Sequence, residues 1–463
     1  MYLSSTMKGK AVLLACGLRK IIEKKYFVPI VFILAMVARL LVAILLNGAP
    51  VSDAGWYVQS ALNIASGQGY TVNGIPTAYF PLGYPAFLAI IFKLFGPSLM
   101  AVKLFQIVLS GAALFLFYLL SRSVFKSEVI ARCSFFILSF HPNHIFYSSL
   151  MFCEIFYLFL LLVSVVLFYR KRWSIGWGFI TGVVFGVGVL TKTQSIFLPL
   201  LLGSILGLNN FRREKISKVI KYMAVLYLAI GMVLVPWLVR NMKVFGKFGV
   251  LATNGGINLY IGNNPLANGG YQHFPFIIDL LAGPGSEIEK NRIAKNKAIE
   301  YISQKPLQIL FLIPKKLKIL YATDVDGITW HMLGLMDNSG RDVDNREEIK
   351  KAWSDYKALK YMQYVAEAYY LLVIVIFVFS FFSDFKRGFK SYFSEQKVGL
   401  WIILYLTAIH ILFYGSARYH FAIFPWMVFY AASFIGSLLI KSGDIRFSEA
   451  HLSESRQKRV VSC

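Results

Sequence analysis

Five places, far apart along the 463-residue chain, carry side chains that can act together on a phosphate ester. Asp53 and Glu154 are acids; Lys192, Arg240 and Arg418 are bases, and Arg418 is followed by Tyr419 and His420. Lysine and arginine grip phosphate through charge-assisted hydrogen bonds and steady negative charge as it grows on a departing oxygen. A positioned carboxylate takes the proton of an incoming hydroxyl. Two acids and three bases in one polar cavity therefore suit the transfer of a group, such as a sugar, off a lipid phosphate. Each residue alone also has a plainer reading, as a charge capping a helix end at a water boundary. Lys93 and Lys103 take that reading, as interfacial anchors.

The scaffold that must position these residues is apolar. The chain is 57% hydrophobic and 15% charged, with a mean hydropathy of +0.60, whereas a soluble domain carries about 25% charged residues. Long apolar runs alternate with short basic segments, and several runs reach the roughly 20 residues that cross a bilayer. The fold class expected is an all-α polytopic membrane protein. The net charge of +25 follows the positive-inside rule, which sets topology, and no nucleic-acid partner is expected. Cys16, Cys133, Cys153 and Cys463 are scattered, with no disulfide framework or metal-ligand spacing.

Threading by charge puts a basic N-terminus (1–26) in the cytoplasm and a first span at 27–46. Residues 51–65 and 81–95 read as helices lying in the outer interface, separated by a Gly67-Gln68-Gly69 turn. Further spans are expected at 99–121, 129–146, 151–169, 174–190, 195–209 and 219–239. A large outer loop fills 240–363, with one apolar piece near 309–320. Spans at 364–382, 398–414 and 420–440 and a polar, loosely ordered cytoplasmic tail (441–463) complete about ten crossings. The module 27–239 would carry the catalytic residues. In this threading the basic clusters Arg170-Lys171-Arg172, Arg212-Arg213 with Lys215, and Lys386-Arg387 with Lys390 share one side. Asp53, Glu154, Lys192, Arg240 and Arg418 share the other. A charge at mid-membrane costs about 2.5–3.5 kcal/mol on insertion scales, so their collection at one face asks for a reason.

At these residues the chain resembles the GT-C glycosyltransferases of the protein mannosyltransferase and aminoarabinose transferase type (family 39). The matching pieces are Asp53-Ala54-Gly55-Trp56-Tyr57, Pro81-Leu82-Gly83-Tyr84-Pro85, His141-Pro142 with Glu154, and Thr191-Lys192-Thr193. They continue with Pro236-Trp237-Leu238-Val239-Arg240-Asn241, Thr253-Asn254-Gly255-Gly256, Tyr260-Ile261-Gly262-Asn263-Asn264-Pro265 and Arg418-Tyr419, in family order over 28–440. The resemblance implies a GT-C fold and an inverting transferase that uses a polyprenyl-phosphate sugar at the outer face. It implies Asp53 as catalytic carboxylate, with Lys192, Arg240 and Arg418 around the donor phosphate. Tyr419, Tyr84, Asn254 and Asn263 join the substrate-binding set. Protein mannosyltransferases follow this aspartate with glutamate; here Ala54 stands instead, which counts against protein O-mannosylation and leaves Glu154 as the second acid.

No cofactor is expected, and a divalent metal stays open. The partners expected are the lipid-linked donor, a lipid, glycan or protein acceptor, and membrane lipids. The location expected is the inner membrane with both termini cytoplasmic. A lipid-linked glycan flippase, or an O-antigen polymerase or ligase using diphosphate donors, would share the spans and the basic residues. His141 reads as a local packing residue beside Pro142. Trp56 and Tyr57 read as interfacial anchors or as sugar-stacking platforms.

Overall fold

The computed structural model describes residues 5–171, 173–209, 216–385 and 395–460. Arg172, Arg212, Arg213, Lys215, Lys386, Arg387, Lys390 and Cys463 of the sequence reading lie outside them. The chain is all-α apart from a two-stranded hairpin, β1 (Thr71–Val72) and β2 (Ile75–Pro76). The N-terminal half comprises α1 (Ser5–Glu23), α2 (Phe27–Leu45), α3 (Asp53–Ala65), α4 (Gly83–Phe95), α5 (Leu99–Phe125), α6 (Glu128–Ser139), α7 (Pro142–Tyr147), α8 (Glu154–Arg170), α9 (Ile175–Thr191), α10 (Leu198–Asn209) and α11 (Ile216–Phe245). Six helices occupy the expected outer loop: α12 (Gly255–Gly262), α13 (Pro275–Ala282), α14 (Glu287–Gln304), α15 (Pro306–Tyr321), α16 (Asp326–Asn338) and α17 (Arg346–Asp355). α18 (Lys357–Phe385), α19 (Val398–Leu412), a 3-10 segment (Ala417–Ala422) and α20 (Phe424–Val460) end the fold.

Five of these helices are long and apolar enough to cross a membrane: Phe27–Leu45, Leu99–Phe125, Ile216–Phe245, Lys357–Ser383 and Phe424–Ser442. The other expected spans are helical but shorter. The third is divided, because Pro142 opens α7 while His141 before it is extended (φ −64°, ψ 114°), as the residue before a proline tends to be. The tail also differs from expectation: its backbone continues α20 to Val460.

The pattern of burial explains the packing. On α2, Val31, Ala35, Arg39 and Ala43 are buried at four-residue spacing, while Ile30, Ile33, Leu34, Val37, Leu41 and Ile44 are exposed. Contiguous large apolar residues on an outer face mark contact with lipid. α8 is buried almost all round and forms the central post. Against it lies α9, whose Gly178, Gly182 and Gly186 face α11; a Cβ on Gly182 would stand 2.3 Å from the Leu226 carbonyl oxygen. Small residues at this spacing let two helix backbones approach closely where hydrocarbon offers no hydrophobic drive. Arg39 is sealed in this apolar setting by neutral acceptors: Ser110 Oγ (2.7 Å), the carbonyls of Ala35 (2.8 Å) and Ser139 (3.1 Å), and His144 Nδ1 (2.8 Å).

Candidate active site

Asp53 begins α3 straight after a strained turn. Ser52 has φ 56° and ψ −134°, a region that disfavours any residue with a Cβ, and a Cβ on Gly55 would lie 2.8 Å from the Pro50 carbonyl oxygen. Glu154 likewise opens α8. The partly positive N-terminus of a helix favours both carboxylates. Lys192 caps the other end of a helix, following Thr191 of α9, where a cation is favoured for the same reason. Gly83 at the start of α4 holds that end in place: a Cβ there would meet the Leu190 carbonyl carbon at 2.7 Å.

Arg418, on the 3-10 segment, joins these groups. Its Nη1 donates to Asp53 Oδ2 at 2.6 Å, its Nε to Glu154 Oε1 at 2.6 Å and its Nη2 to Glu154 Oε2 at 3.4 Å. Lys192 Nζ donates to Glu154 Oε1 at 3.2 Å. The Arg418 guanidinium also lies over the Phe152 ring, 4.3 Å from its centroid. Burial works against the Arg418 charge, but Glu154 and Asp53 outweigh it and hold the guanidinium well above its usual range. Lys192 behaves alike: burial lowers it, Glu154 raises it, and the net direction is upward. The side chain of Glu154 is 1% exposed and that of Asp53 32%. Only the Asp53 carboxylate of this pair is open to an incoming molecule.

Four of the expected charged residues thus converge, from sequence positions up to 365 apart. Tyr419 flanks them, its ring stacked 4.4 Å from His410 and its hydroxyl bonded to Tyr414 at 2.6 Å. Tyr84 lies behind them, buried against Tyr57 at 5.2 Å and donating to Gln106 at 3.3 Å. Trp56 and Tyr57 pack into the same aromatic cluster with Tyr79 and Phe80, so neither stands free.

Arg240, Asn263 and Asn254 are not brought into the cluster. The Arg240 guanidinium donates at 2.8 Å to the carbonyls of Thr77 and Tyr70 and to Asn241 Oδ1, and it lies 4.9 Å from the Trp237 ring centroid. It holds the β1–β2 hairpin. Asn263 accepts from Lys316 at 2.9 Å and donates to the carbonyls of Leu259 and Leu412 at 2.8 Å, tying α12 and α15 to the end of α19. Burial pushes the Lys316 ammonium down to about 8. Asn254 precedes α12 without a side-chain cap bond.

A second polar knot was not legible in the sequence. Asp324, between α15 and α16, is bonded by His141 Nε2, Asn143 Nδ2 and, at 2.9 Å, His420 Nε2. Burial alone would raise this carboxyl; His141 and His420 bring it well below the ordinary range. His141 is therefore no local packing residue, since it anchors an acid 183 positions away and stacks on Phe424 at 3.9 Å. Two acids spaced i, i+2 in Thr323-Asp324-Val325-Asp326, at the end of an apolar run, were the available signal. Among the described residues no three His, Cys, Asp or Glu side chains are grouped to hold a metal ion.

At Ala54, the residue after Asp53, lies a narrow cleft bounded by Gly48–Val51, by Lys103, by Leu150–Phe152, and by Trp330 and His331 of α16. Lys103 is no simple surface anchor. It is buried, and its Nζ donates at 3.1–3.2 Å to the carbonyls of Ala43 and Leu46 and to Asn47 Oδ1, closing the end of α2.

This all-helical fold agrees with the GT-C fold that the motifs imply. Residues 80–239 match the family described as dolichyl-phosphate-mannose-protein mannosyltransferase. The oligosaccharyltransferase of Archaeoglobus fulgidus, solved with zinc and sulfate, superposes with a TM-score of 0.50 at 14% identity, covering 91% of this chain and 51% of that one. ArnT of Cupriavidus metallidurans, solved with undecaprenyl phosphate, gives a TM-score of 0.42 at 12% identity, covering 90% of this chain and 78% of that one. The chain spans about half the length of the archaeal oligosaccharyltransferase it matches. No curated protein matches the sequence.

Proposed function

We propose that the chain is an inverting glycosyltransferase that moves a sugar from a polyprenyl-phosphate donor to an acceptor hydroxyl on the extracytoplasmic side of the membrane. The observation that carries this reading is Arg418, which ties the half-open Asp53 to the sealed Glu154–Lys192 pair at a common set of helix ends. Asp53 is the carboxylate with an open face, so it takes the proton of the acceptor hydroxyl. The acceptor oxygen bonds to the anomeric carbon, the bond from that carbon to the phosphate oxygen breaks, and its electron pair stays on the phosphate. Arg418 and Lys192 bind that oxygen as its charge grows, the stage at which such contacts lower a barrier most. Glu154 is sealed from solvent and serves to hold both cations in position. The exposed apolar faces of the long helices accommodate the polyprenyl chain.

The test is transfer by the purified chain in nanodiscs, wild type beside Asp53→Asn. Polyprenyl-phosphate sugars serve as donors, host envelope as acceptor, and mass spectrometry as the readout. A sugar-bearing product made only by the wild type is the expected result. Turnover by a folded Asp53→Asn variant near the wild-type rate would falsify the role of Asp53. Lipid moved across the bilayer with no glycosidic product would replace the reading with a transporter.

A further inference from the structure

One acid near Arg418 has no assigned partner. Asp326 opens α16, as Asp53 opens α3 and Glu154 opens α8. Its backbone is clamped: the Gly327 amide donates to Asn143 Oδ1 at 2.8 Å, and a Cβ on Gly327 would meet that oxygen at 2.7 Å and the Tyr147 ring at 3.1 Å. Yet Asp326 Oδ2 is sealed from solvent with no hydrogen-bond partner, and so is the Tyr147 hydroxyl. Tyr147 is fully buried, and Asp326 is the charge it feels most. Native structures rarely leave buried polar atoms open, and each such exception asks for an explanation.

The surroundings supply one. The Tyr147 ring is bracketed by Phe421, at 4.7 Å, and Phe152, at 6.1 Å. Phe421 lies three residues beyond Arg418, and Phe152 is the ring beneath the Arg418 guanidinium. Trp330, four residues after Asp326, shares its face of α16, packs 5.2 Å from Phe152 and walls the cleft that reaches Ala54, next to Asp53. An aromatic wall with a few convergent polar atoms is the usual make-up of a small-molecule site; here Phe152 and Trp330 line the cleft, while Tyr147 and Asp326 adjoin those rings without lining it. His420 and Arg418 on the 3-10 segment, Asp324 before α16 and Glu154 of α8 are the charges that act on Asp326.

We propose that Asp326 and Tyr147 form a subsite for hydroxyl groups of the sugar being transferred, within one sugar of the phosphate held by Arg418 and Lys192. This rests on the transferase reading above. The carboxylate accepts from a sugar hydroxyl and the phenol donates to one, completing both open valences. A sugar bonded directly to the phosphate is the part of the substrate that Arg418 brings closest to this pair.

The test uses the full chain in nanodiscs with two kinds of probe: undecaprenyl phosphate, and undecaprenyl phosphate carrying mannose, glucose or aminoarabinose. Wild type is expected to bind at least one sugar-bearing lipid more tightly than the bare carrier. Tyr147→Phe and Asp326→Asn should bind bare carrier as wild type does and lose at least about tenfold in affinity for that sugar-bearing lipid. Asp326→Asn should also melt at or above the wild-type temperature, because a half-buried carboxylate with one sealed oxygen lacking a partner opposes folding. Equal losses for both kinds of lipid, no loss for either, no wild-type preference for any sugar, or a lowered melting temperature in both variants would each overturn the subsite. A wild type that binds neither kind of lipid would instead overturn the transferase reading itself.

Discussion

Glu154 is the acid on which both cations of the cluster depend, which makes a quantitative test possible. Arg418 keeps Asp53 as a second partner at 2.6 Å, but Lys192 has Glu154 at 3.2 Å as its only ion pair among the described residues. Removing one partner of a buried pair typically costs about 3–5 kcal/mol, because a buried charge is left uncompensated. Glu154→Gln should lie in that range. Lys192→Met is milder, about 1.5–3 kcal/mol, since Glu154 still accepts from Arg418 at 2.6 and 3.4 Å. In the double variant the stranded ammonium is gone, so it should be more stable than Glu154→Gln alone. The interaction energy should therefore be at least about 1.5–3 kcal/mol, well outside the roughly 0.5 kcal/mol scatter of independent sites. Reversible unfolding in mixed detergent micelles, run on all four proteins, measures it. A double variant no more stable than Glu154→Gln would refute the reasoning that Glu154 neutralises Lys192.

Four further outcomes follow from the geometry. Arg240→Gln removes three bonds to the hairpin and its neighbours; it should lower stability by about 2–4 kcal/mol while leaving the donor KM of the folded fraction unchanged, as turnover against donor concentration would reveal. Gly55→Ala forces a methyl group against the Pro50 carbonyl and shifts Asp53; it should cut turnover by about 10²-fold, whereas Ser52→Gly relieves the positive φ and should stabilise by roughly 1 kcal/mol. Burial holds Asp326 at about 6 against an ordinary 3.8, so the folded chain binds that proton more tightly than the unfolded chain. The stability this confers is full below about pH 4 and lost as the pH rises through about 6, a difference of about 3 kcal/mol. Asp326→Asn should gain on wild type across that window in pH-dependent unfolding, and a constant difference between the two would contradict the assignment.

The membrane class and the two helices after α2 are legible because they depend on run length and local charge, which are properties of neighbouring residues. α3 and α4 fall within the amphipathic segment at 51–65 and the short apolar stretch at 81–95 that the sequence marks as helices. The six helices between α11 and α18 read in the sequence only as a loop with one apolar piece. α14 and α17 are mostly polar and depend on tertiary contacts: Glu287 at the start of α14 bonds Thr77, Ala78 and Thr253. For the candidate site, residue type singles out Asp53, Glu154, Lys192 and Arg418, each a charge stranded beside an apolar run, and the structure brings these four together. The same rule selected Arg240 with equal force. Type alone does not distinguish a guanidinium bonded to backbone carbonyls from one bonded to two carboxylates; only the fold shows which acceptors lie within reach.

The group also has a logic that residue types hide. Asp53, Glu154 and Asp326 each stand at the first position of a helix, and Lys192 stands just past the end of one. Helix ends bring partial charges of about half an electron that suit these side chains, so the backbone helps to hold the acids that pair with Arg418. A one-residue difference in a helix boundary is beyond pattern reading, which is why Asp326 was passed over while Asp53 was not. It follows that lengthening α8 by one turn at its start would disturb the cluster more than removing a single hydrogen bond within it, because it would displace the Glu154 carboxylate and the N-terminal partial charge together. Moving Glu154 by one turn of helix displaces it about 5.4 Å, beyond the 2.6–3.4 Å reach of the three bonds it makes to Arg418 and Lys192.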